Sequence, residues 1–308
     1  MIKRLLLISL LVAMPLFAKD GVLWTLTDPR GDDYGNGKLQ YPMSADYTRG
    51  DLDLTRLTAT RVNGGTRFEA TFARPIRVPG RTTIDSIGTQ LDQVARHGFY
   101  TFNIDIYIDT DGVAGSGSTT TLPGRNVMID PSTAWEKAIT LTPDPAEARK
   151  ELNRIMIRDE RRRDVSEGRK GIVTDDERAD LRGGIDDSVF FPSMIRVAGS
   201  RITFFVPDAF LGGEAKKEWS YVVAVSGADA VLRLDQQNRI MRRGDSGEAL
   251  MILPVTHGRP TDRFGGAMER DDFMPPLVDI IARGEQKKVL SAYDADAGEP
   301  AVLTGVRP

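Results

Sequence analysis

The sequence predicts a mainly β fold, a β-sandwich with one charged helical insertion and short C-terminal helices. Three observations carry this. In Phe99 to Ile108 the residues Tyr100, Phe102, Ile104, Ile106 and Ile108 fall on one apolar face, as in a strand lying on a core. Asn63-Gly64-Gly65 separates two alternating runs, Leu52 to Val62 and Arg67 to Phe72, as a tight hairpin turn does. From Pro143 to about Gly184 the strand period gives way to a helical one, and charged residues crowd in.

Taken in order, the chain opens on a secretory pattern. Lys3 and Arg4 precede an apolar run from Leu5 to Phe17, and Ala18 is a small residue suited to cleavage before Lys19. The run is too short for a comfortable membrane span, and an uncleaved N-terminal anchor is the alternative. Residues 1–18 are therefore expected to be a signal peptide, and 19–308 a single module in the periplasm or outside the cell. No transmembrane segment is expected after cleavage.

Val22 to Leu26 is a short apolar strand leading into Asp28-Pro29-Arg30-Gly31-Asp32-Asp33-Tyr34-Gly35-Asn36-Gly37. Three carboxylates fall close together here, while the glycines let the backbone turn tightly and Pro29 fixes one dihedral. Clustered negative charge repels itself unless a cation sits among it. A structural Ca²⁺ fits, because it takes six to eight oxygen ligands and neither Cys nor a nearby His is present to favour Zn²⁺. Asp28, Asp32 and Asp33 are the candidate ligands, with Asp51 or Asp53 arriving from the next strand. An Asx-rich surface turn accounts for the same residues, so both readings stand.

Ile87 to Val94 has helical spacing. After the apolar strand, Asp109-Thr110-Asp111-Gly112 resembles a calcium loop but lacks the third ligand and distal Glu of an EF-hand. It is expected to be a mobile loop at one end of the sandwich, with a second metal site as the alternative. Val127 to Ile129 and Trp135 to Leu141 are expected strands. In the insertion, Ala148, Leu152, Ile155 and Met156 recur at helical spacing from a start at Asp144-Pro145. Thr174-Asp175-Asp176-Glu177 is a capping box for a second helix, expected to end at Gly183-Gly184. The mixed-sign charges read as a solvated face rather than a recognition surface. Strands resume at Ile195 to Val197, Ile202 to Val206, Tyr221 to Ser226 and Leu250 to Val255. Leu277, Val278, Ile280 and Ile281, then Val289-Leu290, suggest two short helices packed on the sandwich.

Composition narrows the function. A net charge of −3 that includes Lys3 and Arg4 leaves no basic surplus for a nucleic-acid partner. Without cysteine there is no disulfide, thiol nucleophile or covalently attached c-type haem. His97 and His257 are the only imidazoles, and no Gly-x-Ser-x-Gly elbow, P-loop or dinucleotide fingerprint occurs. A protein that is not an enzyme is expected.

The residues also carry a family resemblance. The acidic loop, then Tyr41-Pro42 and Gly50-Asp51-Leu52-Asp53-Leu54, resembles the opening of the C-terminal module of bacterial glucodextranases. Further matches follow in order: Asp105 to Asp109, Leu122 to Asn126, Ala134-Trp135, Val206-Pro207, Leu211-Gly212, Trp219 to Tyr221 and Phe264 to Gly266. The resemblance implies an immunoglobulin-like or jelly-roll-type β-sandwich, similar to family-nine carbohydrate-binding modules and DOMON domains. It implies a non-catalytic partner for glucans or cell-envelope polysaccharide, although no catalytic domain is attached. Trp24, Trp135 and Trp219 lie in apolar strand contexts that suit core packing, while Tyr34 and Tyr41 are expected to be exposed. Sugar contact is expected at Tyr34, Tyr41 and Trp135. Two alternatives follow: a DOMON-like b-type haem held between Met and His, from ten Met and two His, or a cell-envelope scaffold.

Overall fold

A computed structural model describes residues 21–83, 88–228, 249–268 and 273–308. The signal peptide expected at 1–18 and the start of the helix expected at Ile87 lie outside the described residues.

The first sheet is antiparallel throughout and built from five strands. They are β1 (Val22–Thr27), β2 (Leu54–Val62), β3 (Gly65–Phe72), β8 (Ile195–Ala198) and β9 (Arg201–Pro207), in the order β1-β2-β3-β9-β8. β2 and β3 form the expected hairpin, with Val62 opposite Gly65 and Gly64 at φ 78° in the turn. The second sheet holds β4 (Phe102–Asp109), β6 (Lys137–Leu141), β7 (Val189–Phe190), β10 (Ser220–Gly227) and β13 (Leu277–Ile281), in the order β13-β10-β4-β6-β7. Two small parallel pairs complete the strands: β5 (Val127–Ile129) with β14 (Ala301–Leu303), and β11 (Val255–His257) with β12 (Phe264–Ala267).

The sheets close on a shared apolar core. Phe72 of the first meets Phe102 of the second at 4.7 Å between ring centroids, and Trp24 meets Tyr221 at 4.4 Å. Leu57, Phe68 and Phe204 line one side, with Ile104, Ile106 and Val223 on the other. Burying apolar surface between two sheets is what holds such a sandwich together.

The apolar face of β4 lies on this core as expected, and its other face is buried too: Asn103, Asp105 and Tyr107 are as buried as Ile104 and Ile106. The cause is a third layer. α2 (Pro145–Ser166) and α3 (Asp175–Ser188) send Leu152 and Ile185 into a second apolar cluster with Tyr107, Ala138, Val222 and Ala224. The insertion is thus a structural layer over the second sheet. Asp144 caps α2 through the Glu147 amide, and Thr174 and Glu177 form the expected capping box of α3. Gly183-Gly184 does not end that helix, which runs on to Ser188 because Ile185 is buried one residue later.

Two further corrections concern the C-terminal third. Leu277 to Ile281 forms a strand, β13, with every residue buried, so its apolar run reflects burial on both faces rather than a helical stripe. Only the second expected helix forms, as Gln286–Ser291. Leu250 and Met251 have φ of 56° and 61° inside a short 3-10 turn, and the strand expected from Leu250 begins only at Val255. Among the described residues, short α-helices also form at Leu91–Val94 and Asp208–Leu211, so the α-helices number α1 (Leu91–Val94), α2, α3, α4 (Asp208–Leu211) and α5 (Gln286–Ser291).

Candidate functional site

The acidic loop that follows β1 is pressed against β13 and α5. Gly35 donates its amide to the Val278 carbonyl at 2.8 Å, and its φ of 56° together with the nearby Leu277 carbonyl leaves no room for a side chain. Gln286, at the start of α5, donates to the Asp32 carbonyl and accepts from the Ile280 amide. Ser291 adds a bond to the Asn36 carbonyl. The loop is therefore held from outside as well as by its own glycines.

This docking sorts the five aspartates proposed from sequence. Asp28 and Asp32 converge with Asp279 from the middle of β13, and Asp53 lies near enough for its charge to act on Asp28 and Asp32. Asp28, Asp32 and Asp279 each offer an oxygen within 4.8 Å of the others. Burial, then the charge on Asp32, pushes the Asp28 carboxyl up to about 7. Burial, then the charge on Asp28, holds Asp279 well above the ordinary carboxylate range. Burial raises Asp32 and Asp53 too, with neighbouring carboxylates adding to it.

Asp33 and Asp51, also proposed as metal ligands, are turned elsewhere. Asp33 accepts from the Gly50 amide and the Tyr41 hydroxyl, and Arg49 approaches it. Asp51 pairs with Arg77 at 2.6 Å and accepts from the Thr48 amide. Both carboxylates fold the following turn instead of facing the cluster. Asp279 was not found from sequence because it lies far along the chain. Its signal was a lone charge inside the apolar run Leu277-Val278-Asp279-Ile280-Ile281, which burial makes costly without partners.

The second acidic loop is internally satisfied. Asp109, Asp111 and Glu136 also bring oxygens within 4.8 Å of one another. Asp109 accepts from Gly112, Asp111 from Val113 and Ser116, and Glu136 from the Thr110 amide and hydroxyl.

The expected sugar platform takes a different form. Tyr41 is not exposed as expected: its hydroxyl is bound to Asp33 and its ring sits edge-on to Phe264 at 5.5 Å. Tyr34 is half-buried beneath the Arg49 guanidinium, 5.7 Å from the ring centroid. Trp135 is only 7% exposed, donates Nε1 to the Thr120 carbonyl at 3.0 Å, and leans on Tyr107. It offers an edge, not a flat face. That edge helps line a groove of about 680 Å³ between the segment 118–123 and helices α2 and α3. Leu122, Leu152, Ile185 and Val189 make its apolar floor, and Asp159, Glu160, Glu177 and Asp180 bring carboxylates to it. The groove carries no histidine.

A family model described as the C-terminal, SLH-like binding module of glucodextranase matches residues 23–305. The chain belongs to this family. The match begins in β1 and runs past β14, so both five-stranded sheets of the glucodextranase C-terminal module lie within it. The family is one of binding modules rather than catalytic domains, which agrees with the missing nucleophile and cofactor motifs. No curated protein sequence matches the chain. Among the described residues no helix is long and apolar enough to cross a membrane.

Proposed function

We propose that the protein is an exported, non-catalytic carbohydrate-binding module, with glucan or cell-envelope polysaccharide held in the groove beside Trp135. The observation that carries this is the juxtaposition in that groove of an apolar floor with hydroxyls and carboxylates. Pyranose rings present apolar faces and a rim of hydroxyls. Leu122, Trp135 and Ile185 suit the former, and Thr120, Asp180 and Glu177 suit the latter. Family membership supports a binding role, and Lys3, Arg4, the apolar run and Ala18 support export.

The test is native electrophoresis through gels containing soluble glucans or cell-wall polysaccharides. Leu181 of α3 also lines the groove. Retardation of the wild type, lost in Leu181→Arg and weakened in Asp180→Ala, is expected. Retardation unchanged in both variants would move the ligand away from the groove. Reducing sugar released in proportion to pure protein would make the protein an enzyme. N-terminal analysis of secreted material should find a chain beginning at Lys19; a full-length chain in the cytoplasm contradicts export.

A further inference from the structure

The four carboxylates come from both halves of the sandwich. Asp28 directly follows β1 and Asp53 directly precedes β2, both in the first sheet, while Asp279 belongs to β13 in the second. Asp32 comes from the loop between them. Among the described residues none of the four is matched by a Lys or Arg ion pair, whereas their neighbours Asp33 and Asp51 approach Arg49 and Arg77. A second, independent observation points to a ligand. Asp28 Oδ2, Asp32 Oδ1 and Asp53 Oδ1 are buried and have no hydrogen-bond partner, and Asp53 as a residue is only 3% exposed. Buried carboxylate oxygens are seldom left bare, because desolvating them without a partner is costly.

We infer that this cluster binds one Ca²⁺ that staples the two sheets together. Two oxygens on one Ca²⁺ at 2.3–2.6 Å each are at most about 5 Å apart. The 4.8 Å limit met by Asp28, Asp32 and Asp279 is within that span. Four carboxylates, some bidentate, with water complete the six to eight oxygens that Ca²⁺ takes. Mg²⁺ demands a smaller octahedron and keeps its waters, and Zn²⁺ favours nitrogen and sulfur. The ion neutralises charge that would otherwise push the acidic loop off β13. It supplies a cross-link to a chain with no cysteine.

This inference is independent of the glycan groove, and its test reads no sugar. Full-length mature protein is stripped with chelator, then titrated with Ca²⁺ and, separately, Mg²⁺ by calorimetry and thermal melting. One Ca²⁺ per chain is expected, and a hundredfold excess over Kd should raise the melting temperature by roughly 4–5 °C. Asp28→Asn removes one repelling charge, so it should melt higher than wild type in chelator yet lose the Ca²⁺ shift. Asp32→Asn, on the loop, should also lose the shift and guards against misfolding of the first variant. Asp111→Asn, in the other acidic loop, should keep it. No uptake of Ca²⁺, an unchanged shift in Asp28→Asn and Asp32→Asn, or loss of the shift in Asp111→Asn would each overturn the site.

Discussion

Asp279 accepts a hydrogen bond from the Leu54 amide at 2.6 Å, tying a carboxylate of the second sheet to the first residue of β2. Its other oxygen takes the Ile280 amide at 2.9 Å. Both partners are backbone groups of strands, so Asp279 is placed by the sheets and not by the mobile chemistry of a loop. The acidic loop is then brought to it by Gly35 and Gln286. The cluster is therefore a property of the sandwich as a whole, and its charge reports on whether the sheets are together.

That charge gives the metal-free protein a pH dependence of defined sign. Burial, then Asp32, raises Asp28 from 3.8 to about 7, and Asp279 is raised in the same direction by burial, then Asp28. Between the ordinary carboxylate range and about 7, the folded chain holds protons that the unfolded chain has released. Stability must fall as pH rises through that window. In chelator the melting temperature should be lower at about pH 8 than at about pH 5. A curve that is flat or rises with pH would show that these carboxylates do not carry the burden assigned to them.

Gly35 tests the docking of the loop without touching a carboxylate. A Cβ there would lie 2.6 Å from the Leu277 carbonyl oxygen, and φ is 56°. Gly35→Ala should therefore cost about 1–3 kcal/mol through backbone strain and displacement from β13. Gly31, with φ of 84° but nothing near its Cβ position, should cost less when changed to Ala. Denaturant midpoints of the two variants make the comparison. Equal losses would mean that local conformation matters and contact with β13 does not.

The strands with one polar face were legible, because alternation between water and core leaves a period of two. β2 and β3 were found this way. β13 was misread because both of its faces are buried, which erases alternation and leaves a run that suits a helix equally well. Gly183-Gly184 misled for the opposite reason. Local propensity argues for a stop, but the packing of Ile185 carries α3 through two glycines that face open space. At the acidic site the loop announced the chemistry, while the choice among aspartates depended on tertiary partners. Arg77 claims Asp51 and Tyr41 claims Asp33, and neither pairing has a spacing that a sequence displays.

The helical layer predicts two unequal substitutions on α2. Leu152 is 2% exposed and belongs to the cluster against the second sheet. Leu152→Ala should cost about 2–5 kcal/mol, the range for a buried leucine. Arg161 lies on the solvated side of the same helix, and Arg161→Ala should stay within about 0.5 kcal/mol. Chemical denaturation distinguishes them. A small loss at Leu152 would make the insertion an appendage after all.

Arg125 offers the sharpest test of what lies beneath that layer. It is fully buried, and its guanidinium meets Asp105 of β4 through Nε at 2.7 Å and Nη2 at 3.0 Å. Thr140 adds a hydroxyl to the same carboxylate at 2.9 Å, and Nη1 binds the Pro123 carbonyl at 2.8 Å. The pair thus pins the 122–126 turn, one wall of the groove, to the centre of the second sheet. Removing one partner leaves the other charge buried and unmatched, which costs about 3–5 kcal/mol, whereas replacing both with apolar side chains of similar size avoids that penalty. Arg125→Met alone should therefore unfold at clearly lower denaturant than Arg125→Met combined with Asp105→Leu. The double variant should stay folded but let the turn shift, so polysaccharide retardation should weaken more than stability does. If the double variant is no more stable than the single one, the pair's role is packing volume and not compensation of charge.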